Sequence, residues 1–236
     1  DTVILRDDMV VSRYDIQTTD LESNAGWMVK HHGLPASFPE LANMHSKRID
    51  AAGIDWLADW QRFSLVEGLL NPTGYIGAWE QGTGKARYAI ALAMMHSGRS
   101  LIVLEPGLLE EMRKEIDKLS IPSSSYGFLG KNDVPGDKSF YITSYTTLRA
   151  GKRGHYVKTV RRGGKSIDKV VDKVFRPMGE VWAKTFNTVI CDEGGLLANI
   201  SSQQAKSVKA LKAKKLIILD GTPQRSYPRD LLPLSA

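Results

Sequence analysis

The sequence predicts an α/β fold in which a parallel sheet carries helices on both faces, and two observations support this. Several apolar runs, among them "SLIVLEP" (100–106), "VICDEGG" (189–195) and "KKLIILDGTP" (214–223), have the length and continuity of strands buried on both faces. Segments of helical period, such as "GLLEEMRKEIDKL" (107–119), stand between them. Strands that alternate with helices along the chain indicate a parallel sheet.

The elements follow one another without an internal repeat. Residues 1–50 contain two short strand-like runs, at 3–5 and 9–16, and then a loop with a short helix at 31–50, so we expect an N-terminal accessory segment there. The main domain is expected over 51–236. Its predicted helices cover 53–70, 86–98, 107–119 and 201–213. Its predicted strands cover 74–79, 100–106, 139–148, 186–195 and 214–223.

The composition is that of a globular and basic protein. Of the 236 residues, 42% are hydrophobic and 25% are charged, and the net charge of +6 favours a polyanionic partner such as nucleic acid. Cys191 is the single cysteine, which excludes a disulfide framework and suits a reducing compartment. No apolar run is long enough to span a membrane, and the start is not typical of a signal peptide. We therefore expect a cytoplasmic protein with no membrane partner.

The glycine-rich stretch "QGTGK" (81–85) lies between a predicted strand and a predicted helix, as a phosphate-binding loop does. Glycines let backbone N–H groups close around phosphates, the start of the helix adds partial positive charge, and Lys85 can reach the terminal phosphates. The strict pattern G-x-x-x-x-G-K-[ST] fails at Trp79 and at Ala86. Taken alone, the stretch leaves a structural turn and a nucleotide site equally open.

An acidic pair, Asp192 and Glu193, follows a later strand. Ligands bind at the carboxyl ends of the strands in parallel sheets, so the pair is well placed for chemistry. One carboxylate can hold magnesium and the second can orient or deprotonate an attacking water. The alternative is a pair of solvated acids that cap a helix. The last strand ends in a Gly-Thr-Pro turn (221–223) at the same edge, and three such loops in this order are more specific than any one of them.

Residues 151–185 form a basic insertion with ten Lys/Arg against three Asp/Glu, a net charge of +7. The segment alternates with period two around Gly163 and Gly164, which predicts a β-hairpin. One interpretation is that it follows the phosphates of a nucleic acid. The other is a solvated surface hairpin whose charges keep the protein soluble.

Together and in this order, the blocks resemble the first RecA-like lobe of a superfamily-2 helicase of the Swi/Snf-type ATPase branch, over about 54–236. Gln61 stands 24 positions before Lys85, about where the family has its adenine-reading glutamine. The short spacers are similar to those of compact phage and bacterial members. The other motifs that carry the resemblance are "WEQGTGKA" (79–86), "LIVLEPGLLEEMRKEI" (101–116), "YITSYTTLR" (141–149), "VICDEGGLLAN" (189–199) and "LDGTPQRSYPRDLLPL" (219–234).

The resemblance implies a P-loop RecA-like fold that binds ATP and Mg²⁺ and acts on the backbone of nucleic acid, double-stranded DNA above all. It implies that Asp192 holds the metal and that Glu193 and Lys85 are catalytic. The nucleotide-binding residues implied are Gln61, Glu80, Gln81, Gly82, Thr83, Gly84, Lys85, Ala86 and Arg87. Thr143, Ser144 and Tyr145 are implied as nucleic-acid contacts, to which the basic hairpin adds Arg161, Arg162 and Lys165.

Three positions depart from the family pattern. Ala86 replaces the hydroxyl that ligates magnesium, Gly195 replaces the histidine of the acidic box, and Asp220 stands where the family has Thr. We also expect a fragment, because the second RecA-like lobe, which supplies arginines to the site, has no counterpart in the sequence. Two functions stay open, a DNA-dependent ATPase lobe and a descendant that binds nucleic acid or assembles with a partner without hydrolysing ATP. A small-molecule kinase is disfavoured, since it leaves the Gly-Thr-Pro block unexplained.

Overall fold

A computed structural model describes residues 38–71, 74–162 and 165–221. The strand-like runs predicted at 3–5 and 9–16 and the Gly-Thr-Pro turn beyond Gly221 lie outside the described residues. Within the described part of the chain, no helix is long and apolar enough to cross a membrane.

The main sheet is parallel throughout, as the alternation of strands and helices predicted. Its strand order is β1-β8-β7-β2-β4-β3, and β5 and β6 form a separate pair. The strands of the described residues are β1 (Gly74–Ala78), β2 (Ser100–Leu104), β3 (Tyr126–Phe128), β4 (Phe140–Ser144), β5 (Gly151–Arg162), β6 (Lys165–Pro177), β7 (Thr188–Asp192) and β8 (Lys215–Asp220).

Helices cover both faces of this sheet. The side chains of Ile102 and Leu104 belong to one core cluster and those of Leu101 and Val103 to the other, because successive residues of a strand point to opposite faces. The helices are α1 (Phe38–Ala51), α2 (Asp59–Leu70), α3 (Lys85–Met95), α4 (Leu109–Lys118), α5 (Tyr145–Arg149), α6 (Met178–Val181) and α7 (Gln203–Ala210). Residues from α1 to α4 pack on the first face, and residues from α5 to α7 on the second.

The register of the sheet brings its functional strand ends to one edge. Ala78 at the end of β1 pairs with Asp220 at the end of β8, and Asp192 at the end of β7 pairs with Leu219. Leu104 and Ser144, which end β2 and β4, also pair with each other. The loops that follow these strands therefore emerge together at the carboxyl edge of the sheet.

Two helices differ from their predicted extents. Helix α1 has 14 residues where only a short helix was expected, and its Ile49 is fully buried in the core. Helix α2 begins at Asp59 rather than near residue 53, because the side chain of Gln61 turns back and accepts a hydrogen bond from the backbone N–H of Ala58. Since α1 crosses the boundary expected at residue 50, the division of the chain there stays a prediction.

The predicted basic hairpin is confirmed as an antiparallel pair. Arg162 lies opposite Lys165 beside the two glycines, and Gly151 lies opposite Pro177 at the base. The hairpin is shorter than the insertion predicted over 151–185, since α6 follows at once. The side chains of Met178 and Trp182 are buried in the second core cluster, so this part of the predicted insertion belongs to the main domain.

Candidate active site

The loop between β1 and α3 has the backbone of a phosphate-binding loop. Gly82 and Gly84 have φ angles of 78° and 83°, in the left-handed region that favours glycine. A Cβ atom at Gly84 would lie 2.6 Å from Nε2 of Gln61, so a larger residue would also collide there. Helix α3 begins directly after this glycine, and its first N–H groups have no acceptor within the helix. The loop can therefore receive an anion.

Lys85 lies between this loop and the acidic pair. Its side chain is only 9% exposed, and its Nζ donates a hydrogen bond to the carbonyl oxygen of Trp79 at 3.1 Å. The same Nζ lies 3.7 Å from Oε1 of Glu193, which follows β7. Two of the predicted catalytic residues are thus brought together from positions more than a hundred residues apart in the sequence.

Asp192 is the buried member of the acidic pair. It is 7% exposed, and its pKa is raised from the usual 3.8 to about 6, first by burial and then by the negative charge of Glu193. The ammonium of Lys85 and the N–H of Glu193, which donates to Oδ1 of Asp192 at 3.1 Å, act in the opposite direction. A carboxylate that is costly to ionise alone gains from a divalent cation, which favours its charged form.

The turn after the acidic pair is held by the neighbouring strand. Glu193 has a left-handed φ of 51°, which is uncommon for a residue with a side chain. The N–H of Gly195 donates a hydrogen bond to the carboxylate of Asp220, which is 2% exposed. A Cβ atom at Gly194 would lie 2.1 Å from Cγ2 of Ile218, so this turn also needs glycine for close approach. Two departures from the family pattern, Gly195 and Asp220, are therefore in direct contact.

The side chain of Gln61 connects the glycine loop to the start of α2 through hydrogen bonds. It is 4% exposed, and its Nε2 donates to the carbonyl oxygen of Thr83 at 2.7 Å while its Oε1 accepts from Ala58. The side chain is thus committed to backbone groups on both sides. Its predicted contact with adenine stays a prediction, and the loop-supporting contact was not foreseen.

The remaining predicted nucleotide residues occupy different surroundings. Glu80 and Gln81 are exposed in the loop, and the hydroxyl of Thr83 donates to the carbonyl oxygen of Glu80 at 2.7 Å. Ala86 is half-buried and packs against the first core cluster. Arg87 points away from the acidic pair and forms an ion pair with Glu115 of α4.

The predicted nucleic-acid residues at the end of β4 have internal contacts. Thr143 is buried and donates to the carbonyl oxygen of Leu129 at 2.8 Å, while Ser144 caps α5 by accepting from the N–H of Thr147 at 3.1 Å. Tyr145 donates from its hydroxyl to the carbonyl oxygen of Asp192 at 2.8 Å. In this conformation their side chains hold the site together, and their contact with nucleic acid stays a prediction.

The second predicted nucleic-acid group is Arg161, Arg162 and Lys165. They flank the glycines at the tip of the hairpin, as predicted, and Arg161 pairs with Ser166 across the two strands. Their contact with a polyanion stays a prediction as well.

The residues fit a magnesium nucleotide. Among the described residues, no group of three or more His, Cys, Asp or Glu side chains could hold a metal by itself. Magnesium in nucleotide sites commonly takes one or two carboxylates and completes its shell with phosphate oxygens and water. The pair of Asp192 and Glu193, facing Lys85 across the start of α3, supplies such a partial set.

The glycine loop, the buried lysine and the acidic pair on one edge of a parallel sheet define the first lobe of a Swi/Snf-type superfamily-2 helicase. A family model described as the SNF2-related domain matches residues 80–235. The chain therefore belongs to the SNF2-related domain family, and it is homologous to Swi/Snf-like ATPase domains. No match was found among curated proteins.

Three solved structures are similar to this chain, and the first two share its fold. The Sulfolobus solfataricus SWI2/SNF2 ATPase core in complex with dsDNA is 20% identical with a TM-score of 0.50, over 74% of this chain and 32% of that chain. The Sulfolobus solfataricus SWI2/SNF2 ATPase core domain is 19% identical with a TM-score of 0.53, over 75% of this chain and 34% of that chain. The UvsW helicase from bacteriophage T4 is 14% identical with a TM-score of 0.49, over 73% of this chain and 55% of that chain. The chain thus spans about a third of the length of the two archaeal structures.

Proposed function

We propose that this chain is the ATP-binding motor lobe of a Swi/Snf-like, DNA-dependent ATPase of the helicase or translocase type. The observation that carries the proposal is the position of Lys85. Its Nζ lies at the start of α3, bonded to the loop that would hold phosphates and 3.7 Å from Oε1 of Glu193. A buried lysine at this junction can neutralise phosphate charge on one side and orient a catalytic carboxylate on the other.

The chain's own residues divide the work. The N–H groups of Gly82 to Lys85 and the ammonium of Lys85 bind the phosphates, and Asp192 holds Mg²⁺. When bound, Mg²⁺ would supply positive charge that offsets the negative charge developing on the phosphates. Glu193 orients the attacking water and accepts its proton. Tyr145 and Asp220 keep the acidic turn in place through its backbone.

Full activity requires a second RecA-like lobe or a partner protein. Arginines supplied from outside a nucleotide site raise turnover by about 10³–10⁵ in comparable systems. We therefore expect this lobe alone to bind ATP and to hydrolyse it slowly.

Double-stranded DNA is the proposed partner, and contact is through its backbone. The support is the +7 charge of the segment 151–185 and the hairpin that carries most of it. The similar archaeal ATPase core is described in complex with dsDNA, which agrees with this choice. Contacts to phosphates give binding that depends on salt and little on sequence. We place this activity in the cytoplasm, since the single cysteine suits a reducing compartment.

A second function is favoured by two substitutions. Ala86 offers no hydroxyl to magnesium, and Gly195 has no side chain to couple the acidic turn to neighbouring loops. A protein with these changes can keep the fold and bind nucleic acid without turnover. The hydrogen bond between Gly195 and Asp220 favours the ATPase function, because it connects the acidic turn after β7 to the end of β8 without a histidine side chain.

Turnover in the presence and absence of duplex DNA separates the two functions. The proposal predicts slow ATP hydrolysis that DNA stimulates, and a Glu193→Gln variant that loses about 10²–10⁴ of the rate, the usual contribution of a general base. ATP binding should be retained in that variant. Equal rates of ATP hydrolysis in the wild type and in Glu193→Gln would contradict the proposal and favour the function without hydrolysis.

A further inference from the structure

A second polar cavity lies at the opposite edge of the sheet. Its volume is about 310 Å³, and its walls include the first residues of β7 and β8, the end of α3 and the middle of α1. Thr188 and Lys215 are the first residues of β7 and β8, whereas Asp192 and Asp220 are their last. The cavity is therefore separated from the nucleotide site by the length of the strands.

The charges around this cavity are all of one sign. Arg48, Lys214 and Lys215 line it, together with His45 and His96. Among the described residues that line the cavity, no side chain is acidic. Burial lowers the pKa of Lys215, because its ammonium is partly removed from water.

The two histidines are neutral donors or acceptors at neutral pH. Burial and, to a smaller extent, the charges of Lys215 and Arg48 together lower the pKa of His96 to about 4. The pKa of His45 is lowered by burial and by the same two cations. The Nη1 atom of Arg48 lies 3.1 Å from Nδ1 of His45, so Nδ1 is the acceptor and the ring hydrogen is on Nε2. In His96, Nε2 is buried and has no hydrogen-bond partner among the described residues.

We propose that this cavity binds the phosphate group of a small molecule. Three cations and two imidazoles line it, and they come from α1, from the end of α3 and from the start of β8, so donors are available on several of its walls. A tetrahedral dianion can accept from all of these directions, whereas a planar carboxylate offers two oxygens in one plane. The volume is at the lower end of the range for small-molecule sites, which leaves room for a small organic group beside the phosphate.

This site goes beyond the proposed ATPase function and does not depend on it. Its ligand would not reach Lys85 or Asp192, because those residues lie at the other end of the strands. The site instead joins α1 to the two strands that carry the acidic turn. A bound phosphate would therefore stabilise the packing of α1 on the sheet.

Inorganic phosphate is the probe for this proposal. It is titrated at pH 7.5 against chloride of equal ionic strength, while the imidazole resonances of His45 and His96 are followed by NMR. Single His45→Asn and His96→Asn variants assign the two signals. We expect saturable shifts of both signals with phosphate and none with chloride. The shifts should persist in Lys85→Ala, which separates this cavity from phosphate bound in the nucleotide loop.

Matched double variants test the cations. Lys214→Gln with Lys215→Gln should weaken phosphate binding at least about tenfold, since it removes two of the three charges. Lys206→Gln with Lys209→Gln, two exposed lysines of α7 that do not line the cavity, should leave it unchanged. Lys214→Gln alone, at an exposed position, gives a weaker form of the same test should the double variant not fold. Shifts that do not saturate, that chloride reproduces, or that the two double variants change equally would overturn the proposal.

Discussion

The two edges of the sheet carry opposite arrangements of charge. At the carboxyl edge lie three acids (Asp192, Glu193 and Asp220), two of them buried, and the ammonium of Lys85 lies 3.7 Å from Glu193. At the amino edge, three cations and two histidines line a cavity with no acid among its described lining residues. The same strands, β7 and β8, connect the two edges.

Because of this difference, the two edges favour ligands of different charge. The carboxyl edge has excess negative charge, so a divalent cation that offsets the acids would strengthen phosphate binding there. The amino edge has excess positive charge, so an anion can bind without a metal. A protein that places both on one sheet can distinguish a magnesium nucleotide from a free phosphate by location alone.

The largest effect is expected from variants of the hairpin, which test whether DNA binds there or at the amino edge of the sheet. Reversing Arg161, Arg162 and Lys165 to Glu should flatten the slope of log affinity against log salt by about 2–3, since each phosphate contact contributes about 0.9. ATP binding should stay unchanged. The control is Lys214→Glu with Lys215→Glu at the amino edge, which should leave the slope intact. If the control flattens the slope and the hairpin variant does not, DNA binds at the amino edge.

A smaller effect is expected from Asp192→Asn in metal-free buffer. Because the pKa of Asp192 is raised from 3.8 to about 6, the folded protein holds a proton between these pH values that the unfolded chain releases. The free energy of unfolding therefore falls as pH rises through this window. At pH 7 the Asn variant should be more stable by about 1–3 kcal/mol, measured by urea unfolding.

Asp137→Asn is the matched control for this measurement. Asp137 is fully exposed, so its replacement should change the free energy of unfolding little at any pH. Stabilisation of Asp192→Asn should disappear below about pH 3, where Asp192 is protonated in both the folded and the unfolded wild type. A variant less stable than the wild type at pH 7 would show that the charged Asp192 is compensated.

The sequence predicted the glycine loop, Lys85, the acidic pair and every strand of the main sheet except β3, because each depends on a local pattern. The short β3 (Tyr126–Phe128) was not predicted. Glycines before a helix permit left-handed backbone at little cost, and the structure has it at Gly82 and Gly84. The hairpin was predictable for the same reason, since period-two alternation around two glycines is local.

Contacts that depend on register were not predictable. The bonds from Tyr145 to Asp192 and from Gly195 to Asp220 join segments 47 and 25 residues apart, and they form only because β4, β7 and β8 end at one level. The cavity at the amino edge is also non-local, since it needs α1 to lie beside the start of β8. Polar residues such as His45 and Arg48 gave no signal for this in the sequence.

The smallest effect is expected from Ala86→Thr, which tests whether the missing hydroxyl weakens magnesium binding at the carboxyl edge. A hydroxyl at the start of α3 should raise magnesium-dependent ATP affinity by about 1–2 kcal/mol, the scale of a hydrogen bond to a charged group. ATP titrations with Mg²⁺ and with EDTA measure it, and the gain should appear only with the metal. No gain would mean that water already fills this coordination position.

Calorimetric titration of Mg-ATP into the wild type, Lys85→Ala and Lys215→Ala tests whether ATP binds at the carboxyl edge through Lys85. The two variants remove one lysine from each edge, so they share the loss of charge and differ in location. We expect Lys85→Ala to weaken ATP binding by about 100-fold or more, since a charged hydrogen-bond donor to phosphate contributes about 1.5–3 kcal/mol and its loss leaves Glu193 uncompensated. We expect no change in Lys215→Ala. Unchanged ATP affinity in Lys85→Ala, or equal losses in both variants, would contradict binding through Lys85.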